Sequence, residues 1–320
     1  MLDLHEILRQ IDFEYEYGIR DFEITGGEPS EYDRLRDVCE YIKEKDENSK
    51  IAIITNGGLF GSDVWDVFDE LLLSYHLSKE PDSFDKSFFP RGTTFKKAEK
   101  CVEMAKNRGI LLRTNTVLGS FNLENFAKIV DDLLFFEPKI VNFLPVNLFD
   151  ESKNMVSQID YNKFRPILKE QIRRIEDTLE DVLVFVRYMP FCDMNGFEKN
   201  IVGQLQHIYD WFDWNREIDG PGIIDMSKGN PKDILGYYGK KSFDTVFEQR
   251  PLLYEKDRRC LTCRYNIMCD GVERSGGALL GQIVPSVGPM IKNPMQFIGN
   301  STEALYKKIY DKSKVSGVNK

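Results

Sequence analysis

Helical and strand-like patterns alternate through the first 150 residues, and that alternation leaves few folds open to the chain. Leu4, Ile7, Leu8 and Ile11 mark a first helix closed near Gly18, and the strand DFEIT (21–25) follows. A helix over 31–45 leads to the strand KIAIIT (50–55), and a short helix over 63–69 leads to ELLLSYHLS (70–78). Thr94 can cap the next helix and Gly109 can end it, which feeds ILLRTNTVL (110–118). Phe126, Ile129, Val130, Leu133 and Leu134 mark another helix, and KIVNFLPVNL (139–148) closes the series. Each crossover helix returns the chain to the same sheet edge, so the pattern predicts an α/β fold with a parallel sheet. A longer helix over 161–179 and the strand VLVFVRYMP (182–190) come next. Beyond Cys192 the periodicity weakens, which puts a boundary near residue 190 and divides the chain into 1–190 and 191–320.

Of the 320 residues, 42% are apolar, the ordinary proportion for a globular chain. No stretch approaches the roughly 18 uncharged apolar residues a membrane span needs. The N-terminus MLDLHEILRQ lacks the regions of a signal peptide, so the cytoplasm is the expected location. A net charge of −9 spread along the chain argues against an electrostatic nucleic-acid binder.

The polar residues and the glycines gather where the strands end, which is where parallel α/β proteins build their sites. TGGEP (25–29) follows the first strand and TNGG (55–58) the second. Ser74 and His76 end the third, Asn115 lies in the fourth, and Leu144 to Asn147 follow the fifth. Adjacent glycines let a ligand touch bare backbone, and Glu28 beside them can accept from an ammonium group. The cysteines divide into two kinds. Cys39 and Cys101 fall on apolar helical stripes and read as core. Cys260, Cys263 and Cys269 form C-x2-C-x5-C, and Cys192 supplies a possible fourth thiolate. In a cytosolic protein that set suggests a metal site, and four thiolates suit zinc or an iron–sulfur cluster. Tyr209, Trp211, Phe212 and Trp214 read as the small core of an appended subdomain.

Taken in order, these strand ends resemble the radical S-adenosylmethionine (radical SAM) superfamily. FEITGGEPS is similar to the motif after that family's second strand, and IAIITNGG, LLLSYHLSKEP, LLRTNTVLGSFNLENF and KIVNFLPVNL resemble the strands that follow, Asn122 included. The resemblance implies a partial (β/α)6 TIM-like barrel whose first strand is missing from this chain. It implies that Gly26, Gly27 and Glu28 hold the amino group of S-adenosylmethionine. Ser74, His76 and Asn115 would hold its carboxylate or ribose, and backbone near Leu144 and Pro145 would meet the adenine. The cysteine-rich region resembles SPASM/twitch extensions, which implies one auxiliary [4Fe–4S] cluster on Cys192, Cys260, Cys263 and Cys269, with structural zinc as the alternative.

One departure is serious. The family's CxxxCxxC, which holds the radical-generating [4Fe–4S] cluster, is absent from this chain, and the expectation is an N-terminal truncation. The implied activity is reductive cleavage of S-adenosylmethionine to a 5′-deoxyadenosyl radical, which takes hydrogen from a peptide or a small molecule. The implied reductant is an electron donor such as flavodoxin or ferredoxin. The other reading is a non-catalytic binding or partner protein of the same fold, with a structural metal at the C-terminal cysteines.

Overall fold

A computed structural model describes residues 3–16, 18–79, 94–145, 161–187, 189–202, 254–273 and 284–291. Within them five helices run α1 (Leu4–Glu16), α2 (Leu35–Lys45), α3 (Phe95–Arg108), α4 (Phe126–Phe136) and α5 (Tyr161–Thr178). The strands are β1 (Asp21–Ile24), β2 (Lys50–Thr55), β3 (Glu70–Ser74), β4 (Leu111–Leu118), β5 (Ile140–Pro145), β6 (Leu183–Arg187) and β7 (Ile201–Val202). These seven form one sheet in which each strand pairs in parallel with the next in sequence. A doubly wound sheet reverses its strand order at one point, and this sheet does not. Every crossover therefore turns the same way, and the helices all fall on one side, as in a partial barrel. A separate antiparallel pair joins β8 (Tyr254–Glu255) to β9 (Val272–Glu273). Among the described residues no helix is long and apolar enough to cross a membrane.

Alternation along the strands decides which residues the helices cover. Phe22, Ile51, Ile53, Leu71, Leu73, Leu112, Leu118, Val141, Phe143, Val184 and Val186 join the main core with the inner stripes of the helices. The intervening residues face the other way. There Leu111, Ile140 and Leu183, with Phe185 against them, make a small apolar floor near the starts of three strands. The same face carries Glu23, Glu70, Ser74, Arg113, Asn115 and Asn142, with Glu70 beside Leu111 and Arg113 beside Ile140 in register. Sequence periodicity thus places a greasy convex side under helices and, among the described residues, a polar concave side without them.

Local signals explain most boundaries. Thr94 accepts a hydrogen bond from Lys97 N, and Gly109 closes α3 in the left-handed region at φ +69°. The expected helix over 63–69 does not form; the segment is a series of turns. Its apolar residues are nevertheless buried, because Trp65 Nε1 donates to Leu59 O at 3.0 Å and pins the turn that precedes it. The expected helix over 31–45 begins at Leu35, after a single 3-10 turn at Pro29–Glu31. The strand expected over 70–78 ends at Ser74. The pairing of β7 with β6 carries the sheet past residue 190. The aromatic group Tyr209, Trp211, Phe212 and Trp214 lies outside the described residues.

A buried polar tie fixes how β3 leaves the sheet. Tyr75 is fully buried, and its hydroxyl donates to Asp132 Oδ2 of α4 at 2.7 Å. Lys79 N donates to the same oxygen at 2.7 Å. Burial pushes the Asp132 carboxyl up from the ordinary carboxylate range, and the two donors oppose that shift. Removing one donor leaves a buried acceptor underpaired. Tyr75→Phe should therefore lower stability by about 1–3 kcal/mol, read as a fall in the urea midpoint at unchanged slope.

Candidate functional site

The ends of β1 and β2 are interlocked through one carboxylate. Glu28 Oε1 accepts from Thr55 Oγ1 at 2.6 Å and from Ser30 Oγ at 3.0 Å. Glu28 Oε2 accepts from Asn56 N at 2.7 Å. TGGEP and TNGG therefore form one rim. Gly26 and Gly27 sit at φ +101° and +53°, and a Cβ on either would meet nothing within 4 Å. Backbone conformation calls for these glycines, and the space beside them is open. Gly58 differs, because a Cβ there would come within 2.5 Å of Ser30 Oγ. That glycine lets the two loops close on each other.

The ends of β3 and β4 are joined by His76 and Asn122. Val117 N donates to His76 Nδ1 at 3.1 Å, which puts the neutral ring's proton on Nε2. Asn122 Nδ2 donates to His76 O at 3.1 Å and to Val117 O at 2.8 Å, while its Oδ1 accepts from Gly119 N at 3.0 Å. Burial holds the His76 pKa down at about 4. His76 thus enters the site as a neutral ring whose Nδ1 is committed to the backbone.

Ser74 pairs in register with Asn115, and Asn115 with Asn142. The three stand side by side on the concave face of β3, β4 and β5. Asn142 is only 6% exposed. Among the described residues none of the three side chains has a hydrogen-bond partner. One level deeper, Arg113 bridges Glu70 at 2.9 Å and Glu23 at 3.2 Å, so charges of both signs lie together beneath the row. Leu144 is half-buried and Pro145 buried at the end of β5. The sequence reading named Ser74 and Asn115 but passed over Asn142. The available signal was an amide in the middle of the apolar run KIVNFL.

The C-terminal cysteines converge as well. Cys192, Cys260, Cys263 and Cys269 line one cavity together with Pro190, Phe191 and Lys256. Phe191 and Tyr265 stack at 4.6 Å between ring centroids, and Cys263, Tyr265 and Met268 join the core that contains Phe191 and Met194. The cysteine loop is thereby seated on the chain leaving β6. Gly271 N donates to Cys269 Sγ at 3.4 Å. Burial pushes the Cys192 thiol up to about 12 and raises those of Cys260 and Cys269. Among the described residues no three His, Cys, Asp or Glu side chains are grouped tightly enough to hold a metal ion. Cys39 and Cys101 lie in the core with thiols pushed up to about 12, as expected of packing residues.

Comparison with known proteins falls on the same region. Residues 1–133 match the Radical SAM superfamily. GTP 3′,8-cyclase of Clostridium perfringens (strain SM101 / Type A) is 24% identical over 179 residues, 55% of each chain, so this chain spans about half the length of that curated relative. Streptococcus suis SuiB, solved bound to precursor peptide SuiA, is similar at a TM-score of 0.52 and 15% identity, covering 84% of this chain and 64% of that one. Native anSMEcpe, solved with bound AdoMet and the Kp18Cys peptide, is similar at a TM-score of 0.51 and 14% identity, covering 100% and 92%. The last two likenesses establish the partial-barrel fold.

The low pKa of His76 has a measurable consequence. Between about pH 6.5 and 4 the unfolded chain binds a proton at this position and the folded chain does not. Its neutral form therefore contributes stability that is whole above pH 6.5 and is lost as the pH falls toward 4. His76→Asn keeps an acceptor near Nδ1 but cannot titrate. The gap in unfolding free energy between parent and variant should shift against the parent as the pH falls through that window. A gap independent of pH from 7 to 4 would rule this out.

Proposed function

We propose, from the Radical SAM match over residues 1–133, that the polar rim of the sheet binds S-adenosylmethionine and that the chain serves a radical enzyme acting on a peptide or a small molecule. The observation that carries this reading is the convergence of an open Gly26–Gly27 turn, a positioned Glu28 carboxylate and a row of unpartnered polar side chains on one sheet face. Gly26 and Gly27 offer bare backbone to the cofactor's amino group. Glu28 is held by Thr55, Ser30 and Asn56, and among the described residues its Oε2 carries the one bond from Asn56, which leaves a lone pair for an ammonium donor. Ser74, His76 and Asn115 line the next strand ends, and backbone at Leu144 and Pro145 takes the adenine. Two proteins of this fold are solved with peptides, which favours a peptide substrate.

Cys192, Cys260, Cys263 and Cys269 are proposed to hold one auxiliary [4Fe–4S] cluster, which when bound supplies a one-electron site. A zinc ion draws four sulfurs within about 2.3 Å of one centre, whereas a cluster spreads them over four irons. The four cysteines line one cavity, as ligands of a single group must. A flavodoxin or ferredoxin would serve as the electron donor of the radical enzyme. The six cysteines are all accounted for, two in the core and four here, so these 320 residues provide no thiolates for a radical-generating cluster on the barrel.

Two measurements test the proposal. Glu28→Gln should weaken S-adenosylmethionine binding at least about tenfold by calorimetry, the effect of losing one charged hydrogen bond. Equal affinity would remove Glu28 from the site. Anaerobic reconstitution should load about four irons with matching sulfide, and Cys260→Ser should lower both. Zinc without iron would overturn the cluster assignment.

A further inference from the structure

Thr55 ends β2 on the side of Ile51 and Ile53, 1% exposed, and its hydroxyl serves two loops at once. Gly57 N donates to Thr55 Oγ1 at 3.0 Å, so the hydroxyl cannot turn its own proton that way. That single proton is left for Glu28 Oε1, which lies 2.6 Å off. Gly57 is in turn fixed from behind. It sits in the left-handed region at φ +92°, and Cys101 Sγ of α3 donates to Gly57 O at 3.3 Å. A thiol that the sequence marks as core packing therefore also holds this turn. Cys101, Gly57, Thr55 and Glu28 follow one another from the covered side of the sheet to the open rim.

The three partners of Glu28 are not equivalent. Ser30 stands two residues on in the same loop and travels with the carboxylate it touches. Asn56 N belongs to the turn that Thr55 and Cys101 hold. Of the three, Thr55 is the one that ties the carboxylate to a paired strand, because it stands in register with Leu73 of β3. A carboxylate turns readily about its last torsion unless its oxygens are held. We propose that Thr55 is a positioning residue for the cofactor: by holding Oε1 it leaves Oε2 as the oxygen offered to the ammonium group. Valine at this position keeps the shape and removes both bonds, whereas serine keeps the hydroxyl. The inference rests on the cofactor site proposed above.

The test compares two ligands by calorimetry, S-adenosylmethionine and its desamino analogue, in which hydrogen replaces the amino group. The parent should bind the analogue at least about tenfold more weakly, as expected of one lost charged hydrogen bond. Thr55→Val should lose most of that discrimination, and Thr55→Ser should retain it. A role confined to stability would weaken both ligands alike and leave their ratio unchanged. Should Thr55→Val fail to fold, Cys101→Val loosens the same turn from α3. It should narrow the ratio at least about threefold, the effect of one neutral hydrogen bond. Full discrimination in the folded valine variant overturns the part given to Thr55 and leaves the cofactor site standing. Equal loss in the valine and serine variants overturns the hydroxyl as its cause. A parent that binds both ligands alike overturns the ammonium contact of Glu28 and this inference with it. A parent that binds neither overturns the cofactor site itself.

Discussion

Among the described residues, helices cover one face of a parallel sheet and leave the other without them, and the rest of the described structure follows from that. Five helices bury the alternate residues Phe22, Ile51, Ile53, Leu71, Leu73, Val141 and Phe143, and that burial is the main stabilising term. Because the period is two, the same constraint turns Glu23, Ser74, Arg113, Asn115 and Asn142 toward the concave side. A one-residue slip in any strand would exchange the two sets. The core therefore sets the orientation of the site without any residue of the site contributing much to the core.

Within that frame Glu28 links two strand ends. A carboxylate tied to Thr55, Ser30 and Asn56 holds the β1 loop against the β2 loop, and Gly58 is the close approach that permits it. The same arrangement positions the remaining lone pair of Oε2. Structural and ligand-binding roles need not compete here, because a carboxylate has about four acceptor positions. His76 makes a contrasting case. Its Nδ1 is spent on Val117 N, so whatever it offers a ligand comes through the Nε2 side of a neutral ring.

The sequence made the sheet legible because each strand and its helix announce themselves locally. Thr94 and Gly109 cap α3 as their residue types require, and the strand ends coincide with glycine and polar clusters. The segment at 63–69 was misread because Val64, Trp65 and Phe68 have helical spacing, while the bond from Trp65 to Leu59 O is a tertiary choice that no local pattern encodes. Asn142 was passed over for a related reason. An apolar run with one amide reads as a buried strand, and only the register sets that amide beside Asn115 and Ser74. The cysteine spacing announced a site, but its attachment to the sheet depends on the stack of Phe191 on Tyr265, residues 74 positions apart in the chain.

That attachment joins the two halves of the problem. Cys192 lies five residues beyond Arg187, the end of β6, and Cys263 shares its core with Phe191 and Met194. The cavity between the cysteines is therefore built against the same sheet that carries the polar face. Burial raises the Cys192 thiol, and a metal held there would take its thiolate form. The concave row has the complementary character, neutral side chains whose amides make no hydrogen bond among the described residues. On the proposed reading, the cysteine cavity takes a ligand that replaces protons and the concave row one that completes hydrogen bonds.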